Sequence, residues 1–196
     1  MHRFTELIDQ CVAFTLRGLD EVNAKTVGSL QQSGATALVK TLQMIELQKA
    51  ILVVGMFSLF EAILQDALGC KNGFKEIERL LDNDGEQAIK ESFKNVYFAI
   101  NVLKHGRGQS YDALVERATG GLPFRIKLPA DKFFNEGDVS EISTLVQVDH
   151  AFIQHCSGLI CPDTSIGGQS TIRGVLHDKA APKIRYQSEA GSRPYD

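Results

Sequence analysis

The chain predicts an all-α fold: a helical bundle with one long central apolar helix, a short extended arm and an irregular C-terminal tail. Three observations carry that expectation. Apolar residues recur at helical spacing through most of the first 160 positions. The longest apolar run, Thr36 to Leu68, contains no Pro. Only one segment, Pro123 to Pro129, alternates as an extended strand would, and one segment is not a sheet.

The elements follow in order. Phe4, Leu7, Ile8, Cys11, Val12, Phe14, Leu16 and Leu19 alternate with Glu6, Asp9, Arg17 and Asp20, which predicts a first helix over about Arg3 to Val22. Gly28, Ser29, Ser33 and Gly34 then mark a connection over Val27 to Ala35. Thr36 to Leu68 is one helix, or two joined near Lys40. In its second half Val53, Met56, Phe57, Phe60, Ile63 and Leu64 cover more than one face, and a helix apolar nearly all round belongs in the middle of a bundle. Gly69 and Gly73 punctuate; Phe74 to Leu81 is a short helix that ends at the Asn83-Asp84-Gly85 turn.

Ile89, Phe93, Val96, Tyr97, Ile100 and Leu103 form the next stripe, ending at Gly106, a position suited to a left-handed cap. Ser110 is placed to cap a further short helix, with Asp112 in its first turn and Gly120-Gly121 beyond its end. After the extended arm, Asp138 is placed to cap a last helix carrying Val139, Ile142, Leu145, Val146, Val148, Phe152, Ile153 and Ile160. Residues 1–161 thus make one helical domain. Residues 162–196, rich in Gly, Ser, Pro and Asp without sustained periodicity, read as a flexible or partner-ordered tail.

Composition bounds the function. The 196 residues suit one domain with a substantial core. Apolar residues are 43% and charged residues 23%, ordinary for a globular protein. A net charge of −3 excludes a uniformly basic nucleic-acid binder but leaves room for a local basic patch. No Trp is present, so any base stacking falls to Phe, Tyr, His or Arg. Cys11, Cys70, Cys156 and Cys161 have neither zinc-knuckle nor CxxC spacing, which fits reduced, mostly buried thiols in a cytoplasmic protein. The amphipathic start, Met1 to Asn23, is unlike a secretory signal. The most apolar stretch, Ala50 to Leu64, is broken by Glu61 and too short to span a bilayer, so no membrane association is expected.

The segment Asn101-Val-Leu-Lys-His105-Gly-Arg107-Gly108 is the candidate for chemistry. Asn101 and His105, four residues apart, share a helix face. Lys104, His105 and Arg107 gather cationic donors at one helix end, and a phosphodiester would supply the missing negative charge. The plain alternative is that these are the capping cations common in a last helical turn.

NVLKHGRG, preceded by the core helix GMFSLFEAILQDALG, resembles the HEPN-type helical domains, over about residues 36–117 plus 138–160. The resemblance implies a bundle, usually dimeric, found in toxin, defence and RNA-processing systems. In active members it implies a metal-independent ribonuclease built on an Arg, an adjacent polar residue often Asn, and a His a few positions later. Asn101 matches the polar residue and His105 the His; the Arg position falls on Ile100. Under this reading His105 and Asn101 are catalytic, Lys104 and Arg107 bind phosphate, and Lys94, Arg125 and Lys127 add positive charge nearby. No cofactor or metal is needed. Expected partners are RNA, a second copy of the chain, and an antitoxin or nucleotidyltransferase. The competing reading is a non-catalytic, dimeric interaction or regulatory module.

Other residues weigh less. Glu61 lies in the most apolar helix and needs a partner, because an unpaired buried charge is costly. It supports the site if it meets His105 or Lys104, and otherwise faces a groove or a structural cation. His150 and His155 are five apart, not the three or four of a helical metal pair; satisfied surface histidines are the expectation, with Asp149 beside them. Cys156 and Cys161 read as core thiols.

Overall fold

A computed structural model of the chain describes residues 2–131 and 139–160. Among these residues it holds six helices: α1 (His2–Leu30), α2 (Thr36–Leu68), α3 (Gly73–Asn83), α4 (Gln87–His105), α5 (Gln109–Ala118) and α6 (His150–Ile160). The all-α expectation holds. α2 is the central element, packing against α1, α3, α4 and α6, while α5 packs on α4. The tail expected over 162–196 lies outside the described residues.

The core follows from the apolar stripes. Val53, Phe57, Leu64, Ile77, Leu81, Phe93, Val96, Leu114, Phe152 and Ile153 are sealed from solvent. Phe57, Phe60, Phe74 and Phe93 form a chain of ring contacts with centroids 5.5–6.4 Å apart, joining α2, α3 and α4. Such rings favour edge or tilted contact, and the interplanar angles of 32–80° are of that kind.

α2 is one helix, with no joint near Lys40. It ends at Gly69, whose φ of 61° and ψ of 36° make the left-handed cap, with Gly69 and Cys70 N–H groups donating to Asp66 and Gln65 carbonyls. Over the whole of α2 the helix is long and apolar enough to cross a membrane by length and composition, although the Ala50–Leu64 stretch alone is not. Its inner face is occupied by the core.

Three boundaries depart from expectation. α1 continues eight residues beyond Val22 to Leu30. The Thr26 and Ser29 hydroxyls donate to the Val22 and Lys25 carbonyls one turn back, so these residues sit within the helix instead of ending it. α5 begins at Gln109 with Gly108 at its cap position, so Ser110 lies inside the helix and caps nothing.

The third departure is larger. Residues 139–149 are not helical, and α6 starts only at His150. Asp149, not Asp138, supports its first turn: the Asp149 carboxylate accepts from the Phe152 N–H at 2.8 Å. Asp138 itself lies outside the described residues. The preceding segment is extended and pairs antiparallel with the arm, Ile126 opposite Val146. Lys127 N–H donates to the Leu145 carbonyl and Gln147 N–H to the Arg125 carbonyl. The Tyr111 hydroxyl on α5 donates to the Lys127 carbonyl at 2.7 Å, tying this small ladder to the bundle.

Candidate functional site

The segment carrying NVLKHGRG forms the last turn of α4 and its exit into α5. The helix stops where Gly106 takes φ 74° and ψ −139°. This is not the left-handed cap expected of it, yet it is a conformation that only glycine adopts without strain. Gly106 N–H still closes the helix by donating to the Val102 carbonyl at 2.8 Å. Lys104 and His105 lie in this last turn, near the carbonyl end of the helix, where positive charge is favoured.

Helical spacing splits this segment cleanly. Ile100 and Val102 are buried, at 3% exposure each, and belong to the core. Asn101 is half-buried, while Lys104, His105 and Arg107 are exposed. Asn101 and His105 stand one turn apart on one face of α4. Arg107 lies over the Tyr111 ring, its guanidinium carbon 5.5 Å from the ring centre, which steadies a side chain whose N–H donors make no ion pair among the described residues. Neither Asn101, Lys104 nor His105 has a side-chain hydrogen bond or ion pair among the described residues. The arrangement can receive an anion at a helix exit without first breaking an internal pair.

The flanking cations are in different states. Lys127 pairs with Glu141 and is committed to the ladder segment. Arg125 is exposed, and Lys94 is half-buried on α4. Arg117, which sequence reasoning passed over, is the most engaged cation: it donates to Glu91 at 2.7 Å and to Asn95 at 2.8 Å, and lies over the Phe98 ring. It fastens α5 to α4 several turns before His105.

Glu61 is half-buried, and no hydrogen bond or ion pair joins it to His105, to Lys104 or to any other side chain among the described residues. Its partial exposure removes the need for a buried partner. The structure therefore brings Asn101, Lys104, His105 and Arg107 together at one helix end and leaves Glu61 apart from them.

The α6 histidines are satisfied, each by a different helix. His150 Nε2 lies 3.0 Å from Asp20 Oδ1 on α1. His155 Nε2 lies 3.0 Å from Ser92 Oγ on α4, and burial pushes its pKa below the ordinary value. Cys156, beside it, is fully buried, and its thiol is pushed well up by desolvation. Among the described residues no group of His, Cys, Asp and Glu is placed to hold a metal ion. Compared with protein-family models, curated proteins and solved structures, the chain matches none.

Proposed function

We propose that this chain is an RNA-directed, HEPN-like cytoplasmic protein that acts as a homodimer and contacts the phosphodiester backbone through the α4–α5 exit. One observation carries the reading: Lys104, His105 and Arg107 stand exposed at that exit, free of ion pairs among the described residues, with Asn101 on the face of His105. If the protein cleaves RNA, the reaction needs no metal. The 2′-hydroxyl attacks the adjacent phosphorus as the P–O5′ bond breaks; one proton leaves the 2′-oxygen and one joins the departing 5′-oxygen, His105 carrying one of these transfers and water the other. Asn101 orients the phosphate, and Lys104 and Arg107 offset the charge building on its oxygens. Work within a defence or toxin–antitoxin system, beside an antitoxin or nucleotidyltransferase, belongs to the same proposal.

A second reading, a non-catalytic dimeric interaction or regulatory module, is favoured by Ile100. It stands where the resemblance calls for Arg and is built into the core, so this position offers no phosphate contact. Incubating a labelled structured RNA with wild type and His105→Ala in EDTA separates the two. EDTA-resistant cleavage that vanishes in the variant establishes the enzyme. Binding without cleavage, weakening as salt rises through counterion release, establishes an RNA-binding module. Absence of binding at every salt concentration overturns the RNA reading altogether.

A further inference from the structure

Among the described residues, the outer face of α2 is a continuous exposed surface with several large apolar side chains. From Lys40 to Asp66 its exposed positions are Lys40, Met44, Leu47, Gln48, Ile51, Gly55, Ser58, Leu59, Ala62 and Asp66. Between the two charged ends every exposed residue is uncharged. Met44, Leu47, Ile51 and Leu59 are 51%, 49%, 55% and 59% exposed. The Ser58 hydroxyl is turned back onto the Val54 carbonyl at 2.9 Å, which lowers its demand for water.

Gly55 sharpens the point. A glycine inside an exposed helix costs roughly 1 kcal/mol against alanine. Nothing lies within 4 Å of the Cβ it lacks, so no contact among the described residues requires it. A glycine at this place would allow close approach by a helix from outside.

We propose that this face is covered by a second copy of the chain, two α2 helices crossing antiparallel about a two-fold axis level with Val53. The proposal rests on the homodimer in the reading above and supplies its interface. In this register each residue meets the one equally far beyond Val53 on the other helix. Ile51 then falls on Gly55 of the partner subunit, Met44 on Ala62 of the partner subunit and Leu47 on Leu59 of the partner subunit. Two of these pairs set a large side chain against a small one, and Gln48 comes beside Ser58 of the partner subunit. At both ends Lys40 meets Asp66 of the partner subunit, opposite charges that have no ion-pair partner among the described residues of the monomer. A parallel pairing would set Lys40 against Lys40 and Asp66 against Asp66.

A standard interface buries about 800 Å² per partner, so a dimer centred on the outer face of α2 would also take in surface beyond that helix. α1, which packs on α2, also exposes Leu7 and Phe14.

Sedimentation velocity on the full chain tests the proposal, with helicity followed by circular dichroism. Wild type is expected to be a dimer. Ile51→Glu and Gly55→Leu are expected to be monomers with unchanged helicity, since position 51 is exposed and position 55 has open space. Lys40→Glu and Asp66→Lys should each raise the dimer Kd by about threefold to tenfold at low salt, and the double variant should restore it. A dimer indifferent to Ile51→Glu and Gly55→Leu overturns the surface. A dimer that these variants break, but that ignores the charge reversals or is not restored by the double variant, overturns the antiparallel register. A monomeric wild type overturns both, and flotation of that monomer with neutral phosphatidylcholine vesicles would assign the face to lipid. RNA binding, read through His105→Ala, is independent of each result.

Discussion

His150 and His155 lie five residues apart on one helix and meet different surroundings. His150 is paired with an exposed carboxylate on α1, whereas His155 is half-buried against a serine hydroxyl on α4. Burial penalises the charged imidazolium, so folding favours neutral His155 and lowers its pKa from the ordinary 6.5. The unfolded chain therefore binds more protons at this residue than the folded one as the solution is acidified. The stabilisation is fully present above about pH 6.5 and is lost as pH falls through the lowered value of the folded state. A urea midpoint followed from pH 7.5 to 5 should fall in wild type, and fall less steeply in His155→Gln. An equal slope in both would remove His155 from the acid response. Neither pairing could be read from the sequence, because the partners lie 63 and 130 residues away; only the expectation that both histidines would be satisfied was available. Asn101 and His105 were different: their shared face follows from local helical spacing, so the heart of the candidate site was legible. Which of its two alternatives Glu61 follows was not, since it depended on how two helices pack.

At the level of elements, the apolar stripes located all six helices, and the errors fell where one pattern serves two structures. Ile142, Leu145, Val146 and Val148 suit a helical stripe, yet Val146 and its neighbours pair with the arm. Strand partners are non-local, and no periodicity announces them. Gly73 shows the converse, a glycine noted only as punctuation that proves to be a contact. It opens α3 against the end of α2, and a Cβ there would lie 2.7 Å from Leu64 Cβ, 3.1 Å from the Glu61 carbonyl oxygen and 3.3 Å from the Gln65 nitrogen. The first distance is impossible without movement, and two of the three neighbours are backbone. Gly73→Ala should pry α3 from α2 and lose about 1–3 kcal/mol of stability, by analogy with overpacked cores. Gly55→Ala, in open space on α2, is the control: its monomer should be no less stable than wild type, by urea denaturation at low concentration. A Gly73→Ala protein as stable as wild type would mean that the α2–α3 junction yields at no cost.

For the whole molecule, the sequence pattern of α2 supported a central helix, and α2 does touch four others. It did not reveal that the helix keeps one side open, because a face covered by the core and a face covered by another molecule are written in the same residues. If that side is closed by a second copy, folding and association are coupled. A partner that binds only the folded chain stabilises it by mass action, so the melting temperature must depend on protein concentration. For a chain of this size a tenfold increase in concentration should raise Tm by on the order of 1–2 °C. Gly55→Leu should melt at a temperature independent of concentration, because it keeps the bundle and blocks the close approach. The comparison is most informative at low concentration, where wild type dissociates and the Gly55→Leu chain gains from leucine's better helix propensity. There the variant should melt at or above wild type, and the order should reverse as concentration rises. Scanning calorimetry over a wide range of concentration would show the crossing. A wild-type Tm constant over that range would mean that the α2 face remains open to solvent while the bundle melts as a single chain.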